Sequence, residues 1–197
     1  MTTWKIQNAR HLAAFLVCVL VGGLPPATAD AGDGARADRL VGGFFLHDRG
    51  PAADRHEDGF DLNLEVQFDG PEWAPWRWIG SPRPHVGATL SLNGETSLLY
   101  SGLTYEANLV GRLFAAVHGG LALHDGMLHQ KDTERCAAQS DCGFGSRVLF
   151  RGGLEFGVKI SEDKSVSLLW DHVSHGRLLA SENEGIDHIG LRYGIDF

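Results

Sequence analysis

From residue 39 onward, apolar and polar positions alternate with a period of two, in runs of about ten separated by polar, Gly- or Pro-containing stretches. The cleanest run is Gly59–Phe68: Phe60, Leu62, Leu64, Val66 and Phe68 alternate with Asp61, Asn63, Glu65 and Gln67. Such a strand has one apolar and one polar face. A half-buried sheet in a soluble protein would read this way, and so would a barrel strand between lipid and a polar lumen.

The same reading predicts a first strand over Arg39–His47, blurred by Gly42 and Gly43, and a third over His85–Asn93. Asn93-Gly94 is a hairpin-turn signal. A fourth strand is expected over Leu98–Glu106 and a fifth over Leu109–His118, running on toward Leu123. The sixth covers Arg147–Lys159, with Val148, Phe150, Leu154, Phe156 and Val158 opposite Arg147, Arg151, Glu155 and Lys159. Ser165–His175 and Asp187–Phe197 complete eight.

No helical period is sustained after the N-terminal segment. The expected fold is therefore all-β: an eight-stranded antiparallel transmembrane β-barrel of the outer membrane, closed so that no sheet edge is left unpaired. An even strand count puts both termini on one side, and the loops after strands one, three, five and seven on the other. Asp69–Pro84 carries Pro71, Pro75, Pro82 and Pro84, which forbid a regular ladder. Its Trp73, Trp76 and Trp78 suggest an anchor at the membrane interface rather than a plug beneath a soluble sheet. The chain ends on Phe197, behind Ile189, Leu191, Tyr193 and Ile195, which resembles the C-terminal insertion signal of outer-membrane barrels.

The first 29 residues read as a secretory signal peptide. Lys5 and Arg10 give a basic start, Leu12–Leu24 is apolar, and Ala27-Thr28-Ala29 offers a small-x-small cleavage site. Residues 30–38 read as a flexible leader and 39–197 as a single barrel domain. Without Lys5 and Arg10, 15 basic residues face 25 acidic ones, a balance that argues against nucleic acid as a partner. Cys136 and Cys142 share a polar loop, and after export they are expected to form a disulfide. Their spacing is not that of a zinc knuckle, and His124 and His129 do not complete one.

The candidate chemistry sits at the last hairpin. His172 and Ser174 fall two apart on the apolar face of their strand, with Cα atoms roughly 6.6 Å apart at about 3.3 Å rise per residue. Asp187 opens the last strand on its own apolar face, and pairing of the two strands can bring it to His172. Polar groups among lipid-facing side chains are costly unless paired. The roles that follow are Ser174 as nucleophile, His172 as base and Asp187 as the acid orienting the ring. Asp171 falls on the lumen face, and His175 and His188, flanking the loop, read as solvated.

Asp171-His172-Val173-Ser174-His175-Gly176, followed by Asn183-Glu184-Gly185-Ile186-Asp187 and the terminal strand, resembles the lipid A 3-O-deacylase (PagL-like) family of outer-membrane barrels. The resemblance is specific over residues 171–197. It implies an esterase that removes the 3-O-linked hydroxyacyl chain of lipid A, with lipopolysaccharide in the outer leaflet as partner. No cofactor and no metal are expected, and a homodimer is left open. It also implies Asn183 and the Gly176 amide as oxyanion donors. The chain departs from the family in three ways: the acid is Asp rather than Glu, the preceding loop is one residue longer, and His175 stands where Asn is frequent. The rival expectations are a non-catalytic surface barrel and a soluble exported barrel binding an apolar ligand.

Overall fold

The computed structural model describes residues 36–53, 57–129 and 143–197. Among them eight strands run antiparallel, each paired with its sequence neighbours: β1 (Ala37–His47), β2 (Gly59–Phe68), β3 (Arg83–Ser91), β4 (Leu98–Asn108), β5 (Leu113–His124), β6 (Val148–Lys159), β7 (Lys164–Ser174) and β8 (Ile186–Asp196). β1 pairs with β8 and closes the barrel. The segment read as a signal peptide, and Cys136 and Cys142 with their expected disulfide, lie outside the described residues.

The alternation seen in the sequence sorts side chains between outside and lumen. Phe44, Phe60, Leu62, Leu121, Phe150, Phe156, Leu168 and Leu191 stand exposed on the outer wall, Leu191 at 63%. The charged partners in the alternation, among them Asp61, Glu65, Arg151, Glu155 and Arg192, are buried inside. A soluble barrel with an apolar cavity would have the reverse arrangement, so that alternative is excluded. This is the arrangement of an outer-membrane barrel.

The lumen is held by paired charge. Arg192 bridges Glu65 at 2.8 Å and Glu155 at 2.9 Å. Arg151 pairs with Asp171 at 2.6 Å and lies 4.0 Å over the Tyr100 ring. At the end bearing the loops after β1, β3, β5 and β7, apolar residues seal the interior: Leu98, Tyr100, Ala122, Phe144, Leu149, Val173 and Ile186 form one cluster. Glu57, in the loop beyond β1, is half-exposed. Burial pushes its carboxyl up, but bonds from His47, the Thr96 amide and the Thr96 hydroxyl outweigh this and hold it below the ordinary carboxylate value.

Four boundaries differ from the sequence reading. Pro84 lies inside β3, opposite Leu103, rather than in the preceding turn; it sits near the first residue of its strand, where a missing N–H is tolerated. The Trp-rich segment contains a five-residue helix, α1 (Ala74–Trp78), with Pro75 in its first turn. Trp73 and Trp78 are exposed, Trp78 at 83%, which rules out a buried plug. Asn93-Gly94 does not form a two-residue hairpin turn: the connection runs from Leu92 to Ser97, and Asn93 Oδ1 accepts the Phe60 amide of the neighbouring strand. Finally, Leu109–Arg112 is a tight turn rather than the start of β5, with Gly111 at φ 62° and Leu113 N bonded to Val110 O.

Candidate active site

β7 and β8 set the site by register. Asp171 is opposite His188, and the next pair is His172 opposite Asp187. Because successive residues point to opposite faces, the first pair meets inside the barrel and the second meets outside. His188 Nδ1 lies 2.8 Å from Asp171 Oδ1 in the lumen. On the outer wall, His172 Nδ1 lies 2.6 Å from Asp187 Oδ1, and His172 Nε2 lies 2.9 Å from Ser174 Oγ. The three residues singled out from the sequence thus form one continuous hydrogen-bonded chain, serine to imidazole to carboxylate. The His172 side chain is 28% exposed and Asp187 is fully buried.

The burial of Asp187 differs from the sequence reading, which left it lipid-facing. The segment after β1 folds over it: the Ala52 amide donates to Asp187 Oδ2 at 2.8 Å, and the Arg49 amide donates to the Asp187 carbonyl at 3.1 Å. Trp170, two residues before His172 on the same face, donates its indole N–H to Oδ2 at 3.0 Å. One carboxylate oxygen therefore faces the imidazole and the other takes two further donors. Two glycines make this closeness feasible. A Cβ on Gly50 would lie 2.1 Å from Asp187 Oδ2, and one on Gly185 would lie 2.6 Å from His172 Cε1.

Neither flanking histidine is solvated. His175 is fully buried, with Nε2 2.8 Å from the Phe144 carbonyl. It turns inward because its strand alternation places it on the lumen side, at the rim closed by Phe144. His188 is 1% exposed and lies among the lumen charges. The loop after β7 is docked: Glu184 N donates to Gly143 O at 3.1 Å, and Gly143 N donates to Glu184 Oε2 at 3.0 Å. Asn183 Oδ1 accepts the His175 amide at 2.9 Å, so Nδ2 is the only donor its side chain offers to anything else. Gly176 sits at φ 58°, in the left-handed region suited to glycine.

Trp170, Gly50 and Ala52 were not identified from the sequence. Trp170 shares the face and spacing of His172 and Ser174, a signal that was available; Gly50 and Ala52 come from a loop more than 130 positions away. Beside His172 the outer wall also loses its side chains. Gly152 is opposite His172, Gly119 is opposite Gly152, and a Cβ at either would meet nothing within 4 Å. Phe150 and Leu121 flank this bare strip on one side, and Leu154 and Val117 on the other.

Residues 58–196 match the family model "Lipid A 3-O-deacylase (PagL)". No curated protein sequence matches. The crystal structure of the outer membrane enzyme PagL is similar at 17% identity and TM-score 0.56, covering 80% of this chain and 99% of that one. The structure of Neisserial surface protein A is similar at 10% identity and TM-score 0.53, covering 83% and 99%. The N-terminal β-barrel domain of Pseudomonas aeruginosa OprF is similar at 13% identity and TM-score 0.50, covering 83% and 100%. At these identities the structural likeness speaks for the fold, and the family model for the relationship.

Proposed function

This chain belongs to the lipid A 3-O-deacylase family, and on that premise we propose that it is an outer-membrane serine esterase releasing the 3-O-linked hydroxyacyl chain of lipid A. The observation that carries the proposal is the Ser174–His172–Asp187 chain of hydrogen bonds, 2.9 and 2.6 Å long, on a wall otherwise built for lipid. A structural barrel has no use for a half-exposed imidazole between a serine and a buried carboxylate, because polar groups facing lipid are costly.

In this mechanism Ser174 Oγ attacks the ester carbonyl carbon while His172 Nε2 takes its proton. The carbonyl electrons move onto oxygen. Asn183 Nδ2 and the Gly176 amide are the proposed donors to that oxyanion. The intermediate collapses, the bond between the acyl carbon and the sugar oxygen breaks with its electron pair leaving on the sugar alkoxide, and His172 returns the proton to that oxygen. Water then attacks the acyl-serine with His172 again as base, releasing the hydroxy fatty acid. Asp187 orients the ring and stabilises the imidazolium throughout. The bare strip over Gly152 and Gly119 gives a straight acyl chain a floor to lie on, between apolar walls. Long loops of outer-membrane barrels lie on the outer side, which would put Ser174 in the leaflet holding lipopolysaccharide.

The test is mass spectrometry of lipid A from cells producing the chain or its Ser174→Ala form. The expected result is loss of one hydroxyacyl mass with the wild type and none with Ser174→Ala. Fully acylated lipid A in both, with the folded barrel verified by heat-modifiable migration, would favour a structural barrel.

A further inference from the structure

A second constellation lies in the lumen at the same end, independent of the esterase reading. His47 from β1, Asp61 from β2 and His188 from β8 are all buried, and one ligand atom from each lies within 4.8 Å of the others. His47 Nδ1 is 2.9 Å from both Asp61 oxygens, and His188 Nε2 is 3.4 Å from Asp61 Oδ2. We propose that these three side chains form a binding site for a divalent transition cation, zinc being the best match.

The outer partners of the two rings support this. His47 Nε2 lies 2.8 Å from Glu57 Oε2, and His188 Nδ1 lies 2.8 Å from Asp171 Oδ1. A carboxylate can only accept, so each ring carries its proton on that side. As metal ligands the two rings would keep these outer protons and present His47 Nδ1 and His188 Nε2, the nitrogens on the Asp61 side, to the cation. Imidazole that ligates a metal through one nitrogen while the other donates to a carboxylate is the usual arrangement in protein metal sites. Two His and one carboxylate form a familiar zinc set, with a fourth position for water.

Without a cation, His47 lies at hydrogen-bond distance from Asp61 and from Glu57 and carries a proton on both nitrogens, so metal binding would release the one on Nδ1; His188 differs. An Nε2–H on His188 would need an acceptor, yet this fully buried atom makes no hydrogen bond among the described residues. A cation at about 2.0–2.2 Å from each ligand would satisfy both nitrogens and Asp61 together. Charge agrees once the rings act as neutral ligands: among the described residues Asp61, Glu57 and Asp171 then have Arg151 as their arginine partner, leaving two negative charges for a dication to neutralise in place of the histidine protons. A second cluster, Glu65, His85 and His118, lacks these features. Arg192 already pairs with its Glu65, and Arg151 Nη1 lies 3.4 Å from His85 Nε2. The proposed ion would tie together β1, β2 and β8 directly behind Asp187, the sequence neighbour of His188.

The test is to refold the full chain in detergent with zinc or with a chelator, remove loose metal, and count zinc by native mass spectrometry. About one zinc per folded barrel is expected, with a higher Tm than the chelated form and tetrahedral d–d bands when cobalt replaces zinc. His188→Gln should abolish the bound zinc, Glu57→Gln should weaken affinity about 10- to 100-fold, and Cys136→Ser with Cys142→Ser should retain zinc. A folded wild-type barrel holding no zinc would overturn the proposal, as would undiminished zinc in His188→Gln. If His188→Gln does not fold, Asp61→Asn takes its place, and the wild-type count alone still decides against the site when it is zero.

Discussion

The indole N–H of Trp170 donates to Asp187 Oδ2 at 3.0 Å while the other oxygen of the same carboxylate holds His172 Nδ1 at 2.6 Å. Trp170 is thus a positioning residue for the proposed acid, acting from the same strand face as the base it serves. A hydrogen bond to a charged group contributes about 1.5–3 kcal/mol. Trp170→Phe keeps the ring and removes the donor, so kcat should fall roughly 10- to 100-fold with KM little changed. Kinetics on lipid A in mixed micelles check this, and a change confined to KM would contradict it.

Gly50→Ala should disturb the site from the other side. Its Cβ would meet Asp187 Oδ2 at 2.1 Å, so the segment must lift and surrender the Ala52 bond. A displacement of this size costs catalysis on the order of 10²-fold. The barrel pairing does not depend on this contact, so heat-modifiable migration should remain normal while deacylation falls.

Asn183 can be dissected with two substitutions. Asn183→Asp keeps an oxygen for the His175 amide and loses the Nδ2 donor; Asn183→Ala loses both. If Nδ2 stabilises the oxyanion, both should lower kcat by about 10²–10³-fold. Single-turnover kinetics in which only Asn183→Ala is impaired would reassign Asn183 to holding the loop.

Filling the bare strip should separate chain binding from chemistry. Gly152→Leu places a branched side chain opposite His172, where a long acyl chain is proposed to lie. KM for lipid A should rise about tenfold or more, on the basis that each lost CH₂ contact is worth about 0.8 kcal/mol. Hydrolysis of a short water-soluble ester should be nearly unaffected. Equal losses on both substrates would remove the strip from the argument.

Stability should depend on the lumen rather than on the outer wall. Arg192→Leu leaves Glu65 and Glu155 buried without their shared guanidinium. Breaking a buried pair in this way costs about 3–5 kcal/mol, read as a lower urea midpoint for the barrel refolded in lipid vesicles. Ser174→Ala, on the outer wall, should leave that midpoint nearly unchanged.

The sequence by itself determined the strands and their facing. A period-two pattern leaves a strand few choices, so the faces of β2, β6, β7 and β8 follow directly from residues such as Phe60, Leu62 and Leu64 alternating with Asp61 and Asn63. It also determined that His172 and Ser174 share a face, since they are two apart on one strand. What lay beyond it were relations between distant segments. Asp187 reads as lipid-facing by alternation, yet it is buried, because a loop from the far end of the chain folds over it through Gly50 and Ala52. His175 and His188 read as solvated from their polar neighbours, yet both are buried by the rim and the lumen. The lumen cluster of His47, Asp61 and His188 draws on strands that meet only when β1 closes on β8. Alternation fixes which way a side chain points, a local property of the backbone. What it points at depends on closure and loop packing, which only the tertiary structure decides.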